Sequence, residues 1–407
     1  MKTCASILMA LSVATPALAQ PTADVKTPAD VITFLVTQNR VQTGPCPPCQ
    51  DFQKDQEAAE ATRDTVTRAL LVNLATVPIA TSSSGFVYRL DPELGTMTRV
   101  SDSFGTFFVE RAMTSGRGRT SFGISGTTAA YDRLDGLNLR DGTLITTANQ
   151  FDDERAPFDT ESLTLKIRTS TLTIFGSYGV TDRLEIGGAV PLVQLHIEGS
   201  SLNVYRGDAS PQASAIADAS GIADVAVRAK YTLVSVPGAG FAAGAELRLP
   251  TGEETSLLGA GRAAFRLLAV GSVEHARVGV HGNFAIVQGG VSDEMDGSGA
   301  LTIALAPRVT ATGEFLVRHL SDLHTIGAVS APHPTFFNRD ANGNRVGVQT
   351  LRLLPDGTKN SVLSTFVSGV KWNAKASMVL TGQVQWRVGN AGLTAPLTPT
   401  ISLDYLF

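Results

Sequence analysis

Beyond its first nineteen residues the chain carries just two cysteines, Cys46 and Cys49, so disulfides cannot be what holds it together. Charge is scarce as well. Asp, Glu, Lys and Arg make up 17% of the residues, and the net charge of −4 gives no bulk electrostatic case for nucleic acid. No stretch past the N-terminus approaches the roughly 20 apolar residues a membrane helix needs. The six histidines are scattered, with His275, His281, His319, His324 and His333 spread over turns, strands and connections. No Gly-x-Ser-x-Gly elbow, His-Glu-x-x-His pair or glycine-rich phosphate loop occurs. "DANGNRVG" (340–347) begins like a calcium loop but lacks the acidic residue at its twelfth place, and reads as a turn. No enzyme, cofactor or metal is therefore read from the sequence.

What the chain does have is glycine, 39 residues of it, and long runs of alternating side chains. Its N-terminus, "MKTCASILMALSVATPALAQ", joins a lysine, a short apolar stretch and an Ala17-Leu18-Ala19 cleavage pattern. That predicts a secretory signal peptide over 1–19.

From about Arg119 the alternation is sustained. In "ADVAVRAKYTL" Val225, Val227, Tyr231 and Leu233 share one face, and Asp224, Arg228 and Lys230 share the other. In "AKASMVLTGQVQWRV" Met378, Leu380, Trp386 and Val388 oppose Thr381, Gln383 and Arg387. Such segments suit membrane strands of about 9–11 residues plus their ends, where soluble sandwiches use shorter ones. Counting back from the C-terminus gives twelve: 119–131, 163–178, 183–198, 221–235, 239–250, 261–271, 275–288, 297–305, 308–320, 361–372, 375–388 and 396–407. Short turns are expected at Val180-Thr181-Asp182, Pro237-Gly238, Val273-Glu274, Ala306-Pro307-Arg308 and Asn373-Ala374. Longer connections fall near 132–160, 199–220, 251–260, 289–296, 321–360 and 389–395. This asymmetry is that of a transmembrane antiparallel β-barrel in the bacterial outer membrane, with lipid around it. Two strands look irregular. The apolar face of 163–178 changes sides at Leu172 and Ile174, which suggests a bulge or a shifted register, and 183–198 is apolar on both faces. Trp372 and Trp386 fall where interfacial aromatics belong.

Residues 20–118 behave differently. "TPADVITFLVTQ" and "QDFQKDQEAAEATRDTVTRALLVNL" read as helices. Between them stands "GPCPPCQ", where Cys46 and Cys49 are read as a local disulfide candidate in a Pro-rich turn; unpaired thiols and redox or metal chemistry stay open. "GFVYRLDPELGTMTRV" reads as a hairpin around Asp91–Gly95, and Ser115–Gly118 as a turn. Were 84–91 and 104–114 to cross the membrane, the barrel would have fourteen strands; folded inward, they would form a plug. The preferred division is a signal peptide at 1–19, an inserted N-terminal segment at 20–118, and a barrel at 119–407.

The chain stops on "ISLDYLF", with Ile401, Leu403, Tyr405 and Phe407 on one face. The stretch resembles the terminal signal by which the barrel assembly machinery knows outer-membrane barrels, and the resemblance implies that machinery as a partner. "YGVTDRLEIGGAVPLV" (178–193), "GIADVAVRAKYTL" (221–233) and "GAELRLPTGEETSLLGAG" (244–261) resemble the putative MetA-pathway of phenol degradation family. That family is related to outer-membrane transporters for aromatic hydrocarbons and long-chain fatty acids. The likeness implies a barrel that passes small hydrophobic molecules. Turn and strand-end chemistry accounts for Gly179, Asp182 and Pro250-Thr251-Gly252 without any ligand.

A lumen needs polar lining. The inward candidates are Asp224, Arg228, Lys230, Glu246, Arg248, Arg266, His281, Glu314, Arg318 and Arg387. Pairing is expected between Arg228 or Lys230 and Glu246, and between Glu314 and Arg266 or Arg387. Two functions follow. One is passive passage of small hydrophobic or amphipathic solutes, beginning at Phe336 and Phe337, with the N-terminal segment as gate. The other is a filled, non-conducting barrel whose outer loops form a structural or adhesive surface.

Overall fold

A computed structural model describes residues 25–38, 54–76, 88–91, 96–99, 103–375 and 377–407. The expected signal peptide and the Cys46–Cys49 pair lie outside the described residues.

The alternation builds one closed ring of twelve antiparallel strands. In chain order these are β1 (Thr120–Tyr131), β2 (Asp159–Gly179), β3 (Leu184–Tyr205), β4 (Val225–Val236), β5 (Ala239–Leu249) and β6 (Ala264–His275). They continue as β7 (Val278–Gly289), β8 (Glu294–Ala306), β9 (Val309–Arg339), β10 (Arg345–Lys375), β11 (Met378–Val388) and β12 (Leu397–Leu406). Each pairs with its sequence neighbours, and β12 closes on β1 with Ile401 opposite Gly126 and Tyr405 opposite Phe122. Closure removes the open edge that would otherwise pair with another chain. The terminal strand therefore seals the ring, with Ile401 and Phe407 among its most exposed side chains at 66% and 71%.

The outer face is a belt of bare apolar groups. Tyr231, Phe241, Phe265, Phe284, Phe315 and Phe366, on successive parts of the wall, are all 41–49% exposed. Such a patch would be a liability in water and is the expected surface of a strand against lipid. Trp372 and Trp386 stand on the same outer face.

The irregularity expected in β2 has a different cause. Its pairing with β3 is continuous from Asp159 opposite Tyr205 to Gly179 opposite Glu185, with no bulge. Even-numbered residues face out throughout and odd-numbered residues face in. Low in the wall Leu172 and Tyr178 meet lipid. Higher up the outer face turns polar, with Lys166 on β2 paired to Glu198 on β3 at 3.0 Å. There it is the inner residues Leu163, Leu165 and Ile167 that are buried. The apolar face changes because the greasy neighbour moves from outside to inside. The same change explains why β3 looks apolar on both sides, with Ile186 and Leu192 out and Val193, Leu195 and Ile197 in.

What lies inside at that height is a pair of helices, α1 (Pro28–Thr37) and α2 (Gln56–Leu74). Thr27 caps α1 reciprocally with Asp30, and Pro28 supplies a preset φ at the first turn. Asp55 caps α2 by accepting from the Ala58 N–H at 3.0 Å. Val31, Ile32, Leu35, Val66 and Leu70 are fully buried against the upper wall, in one apolar core with Leu165, Ile197 and Leu258. Gly199 on β3 lets α1 come close, since a Cβ there would stand 2.5 Å from Leu35 Cδ1.

This inner core lets strands run on where loops were expected. The 321–360 connection is a continuation of β9 and β10, turned at 340–344. The 199–220 connection continues β3 and returns as the strand Asp208–Ile222, and 132–160 contains the strand Leu144–Phe151, which bridges β2 and β10. Two short turns also sit later than expected. β6 runs through Glu274 to His275, and β10 runs through Ala374 to Lys375. The fourteen-stranded alternative is not what forms. Tyr88–Asp91 and Thr96–Arg99 make a two-stranded sheet of their own, and 103–115 contains no strand.

Candidate functional site

The interior is organised in three levels, beginning with a floor. Residues 103–115 cross the lumen near the short-turn end and are almost wholly buried. With no sheet to pair into, their backbone groups take partners from inward side chains of the wall, as buried amides must. Both carboxylate oxygens of Glu314 on β9 accept from them. Phe108 and Val109 donate N–H bonds of 2.9 and 3.1 Å, and Phe107 donates a third. Lys371 on β10 donates to the Thr106 carbonyl at 2.7 Å. Ser272 on β6 accepts from the Ala112 N–H at 2.9 Å, and Thr232 on β4 donates to its carbonyl at 2.7 Å. Glu185 on β3 accepts from the Ser115 N–H at 2.7 Å.

Two side chains of the segment bind the wall by charge. Arg111 reaches Glu274 with contacts of 2.9 and 2.5 Å, and both groups are buried. Glu110 sits between Arg228 at 3.1 Å and Lys230 at 2.9 Å. Leaving one partner of such a buried pair alone costs far more than the pair contributes net, so each pair fixes the segment in place.

Above the floor is a cavity of about 330 Å³. Its walls differ in chemistry. From β11 round to β2 it meets hydroxyls and amides, among them Gln383, Thr400, Ser125 and Thr171. From β5 to β9 it meets ion pairs within the wall. Arg248 pairs with Glu246 at 3.0 Å, Arg266 with Asp296 at 3.2 Å, and Arg318 with Glu294 at 2.7 Å. Phe107 and Phe108 rise into it from below.

The roof is the end of α2, where Asn73, Leu74 and Thr76 face the cavity beneath the apolar core. α1 and α2 are held by more than grease. Lys54 meets Glu161 at 2.5 Å and donates to the Val36 carbonyl at 2.6 Å, while Thr62 accepts from the Leu353 N–H at 3.0 Å. Close by, above the lipid belt, burial pushes the Asp159 carboxyl up to about 6, against the pull of amide hydrogen bonds from Asn203 and Asn149.

The structure gathers most of the sequence-predicted residues but pairs them otherwise than expected. Arg228 and Lys230 meet Glu110; Glu246, which stands opposite Arg228 in the ladder as expected, is bound most closely by Arg248 on its own strand. Glu314 serves backbone amides, Arg266 meets Asp296, and Arg387 meets Asp132 at 3.0 Å. Glu314 pairs with neither arginine because the floor's amides take both its oxygens, while Arg266 and Arg387 line the cavity above with acids of their own. His281 lies beneath it, 3.0 Å from Ser272 Oγ. Asp224 clamps the 250–263 loop, accepting from the Gly252 and Ala260 N–H groups at 3.1 and 2.9 Å. Phe336 packs with Phe151 and Phe158 at the outer rim, and Phe337 lies under Arg345. Sequence reasoning missed Glu110, Arg111, Glu185, Glu274, Glu294, Asp296 and Lys371. For Glu274 a signal existed, because the inward series Arg266, Leu268, Val270, Ser272 continues to it without a break.

No family model matches the chain, and no curated protein matches it. Among solved structures it is similar to the COG4313 outer membrane channel from Pseudomonas putida F1, at 13% identity and a TM-score of 0.45 over 73% of this chain and 98% of that one. It is also similar to the translocator domain of the autotransporter NalP from Neisseria meningitidis, at 10% identity and a TM-score of 0.35 over 72% and 89%. The NanC porin follows at 7% identity and a TM-score of 0.33 over 61% and 98%. Likeness at this level adds nothing on function. The closed ring and its lipid-facing belt stand on their own: the chain is a β-barrel of the bacterial outer membrane.

Proposed function

We propose that this barrel is a gated channel for small amphipathic solutes, with residues 103–115 as the inner gate and α1 and α2 as the outer one. The observation that carries the reading is how the floor is attached. The wall closes on itself without residues 103–115, and the segment is bound to that wall through side chains from β3, β4, β6, β9 and β10. A barrel can shed such a segment and stay a barrel. The cavity between the gates offers both halves of an amphipathic molecule a place, with Phe107, Phe108 and Leu316 beside guanidinium and hydroxyl groups. That favours amphipathic molecules over purely hydrocarbon ones.

A second reading is a filled structural barrel, favoured by the apolar core that α1 and α2 form with the upper wall. Single-channel recording separates the two. Arg111→Met and Glu314→Gln each remove an attachment of the floor. A gated channel gives current steps more often in these variants than in the wild-type protein. A filled barrel stays silent in all of them.

A further inference from the structure

We infer that Glu110 is a built-in stand-in for the solute's acid group, and that the channel's ligands are small carboxylates with an apolar body, which release the floor by taking Glu110's seat on Arg228 and Lys230. The inference rests on the channel reading above. The three ion pairs of the cavity wall join residues that all belong to the wall. Arg228 and Lys230 instead receive a carboxylate from the segment that blocks the way, one oxygen each, at 3.1 and 2.9 Å. They are two residues apart on β4, so both project from one face toward a single acid. Lys230 has a wall acid, Glu185, only at 3.8 Å, and Glu185 also accepts from Ser115 of the segment.

The seat can be reached. A recess of about 50 Å³ lies against Glu110, Arg228 and Lys230, and it shares Phe108, Glu246, Arg248 and Arg266 with the main cavity; the Glu246 carboxylate is held by Arg248 at 3.0 Å. Gly187 and Gly244 line it, and a Cβ on Gly187 would come within 3.5 Å of the Arg228 Nε. The tighter contact there, 2.8 Å from such a Cβ to the Gly176 carbonyl, is with the backbone of β2. The segment even presents the expected form of its replacement, because Phe108 lines the same recess as Glu110. A solute with a ring or short alkyl body and one carboxylate would repeat both contacts. Once Glu110 leaves, two bases on the wall face the lumen without that carboxylate, which favours anions along the path.

The test is single-channel recording of the full-length protein with sodium benzoate, and with benzamide as an uncharged probe of the same shape. The inference expects benzoate, and not benzamide, to increase current steps in the wild-type protein. It expects Glu110→Gln to conduct without benzoate, with its reversal potential in a salt gradient shifted toward anions. Arg228→Gln, whose folding is checked by its heat-dependent gel mobility, should show more current steps without benzoate, having loosened Glu110, and should need about tenfold or more benzoate for half of its further increase, having lost one charge-assisted hydrogen bond to the acid. Equal action of benzamide, or a Glu110→Gln protein with wild-type selectivity and benzoate response, would overturn the inference and leave the channel standing. Silence of every form under every condition would overturn the channel reading and this inference with it.

Discussion

The floor's hold on the wall can be measured at one residue. Glu314 offers two carboxylate oxygens to three backbone N–H groups, those of Phe107, Phe108 and Val109. Glutamine has nearly the same shape but a single acceptor oxygen, and its amide nitrogen would face an N–H donor. Hydrogen bonds to a charged group contribute about 1.5–3 kcal/mol each, and a buried donor left unpaired costs about 1–3 kcal/mol. With its oxygen in the Oε2 place, Gln keeps the Phe108 and Val109 bonds and loses the Phe107 one, so Glu314→Gln should weaken local closure of the floor by roughly 2–5 kcal/mol. The barrel wall keeps all of its ladder bonds, so global unfolding should change far less. Hydrogen exchange reads the difference directly, because amides that open locally exchange with the local free energy. At about 3 kcal/mol the Phe107–Val109 amides should exchange roughly a hundredfold faster, while amides in β4 and β9 hold their rates. Unchanged exchange at Phe107–Val109 would refute the reasoning, as would equal acceleration throughout β9.

The roof makes its own predictions. Leu35→Ala should cost about 2–5 kcal/mol of roof stability by leaving a cavity against Gly199 and Leu165; limited proteolysis from the outer side should cut near α1 faster, with the barrel band intact. Gly199→Val should displace α1 by collision with Leu35, and proteolysis reads the same loss. Asp159 gives a pH dependence. Its carboxyl is raised in the fold, so the folded state holds the extra proton, and the stability this gives is complete below about 4 and lost as pH rises through about 6. Denaturant unfolding from pH 4 to 7 should show a decline of at most about 3 kcal/mol that Asp159→Asn lacks; parallel curves for the two proteins would contradict it. Phe407→Ala, which shortens the aromatic pair with Tyr405 at the closing strand, should lower the yield of assembled barrel in the outer membrane, scored by heat-dependent gel mobility.

The ring itself was legible in the sequence. A period of two survives wherever one face meets lipid, which is why Val225 to Leu233 and Met378 to Val388 fall on the face they were expected to take. The helices were legible from their composition and helical spacing. Legibility failed where the partner of a face was unknown. Leu163, Leu165 and Ile167 looked like a register error because only α1 and α2 explain them. Beyond Leu320 the 321–360 stretch read as a long polar connection, yet it pairs as strand beside the Leu144–Phe151 segment. The floor was least readable. Residues 103–115 have no periodicity because wall side chains, rather than a ladder, satisfy their backbone. Arg228 and Lys230 could be placed on the inner face, but nothing in their own strand names Glu110, more than a hundred positions earlier, as their partner.

The central claim is that movement of residues 103–115 opens the lumen. A Cβ placed on Gly240 of β5 would stand 3.1 Å from Ala112 Cβ, slightly under the usual spacing of a disulfide. Ala112→Cys with Gly240→Cys, in a protein whose Cys46 and Cys49 are replaced by serine, would tether the floor to the wall. The decisive measurement is single-channel current through this protein in benzoate, before and after reduction. The account predicts silence while the tether is intact and current steps once it is reduced. Currents that do not change on reduction, whether present or absent, would contradict it.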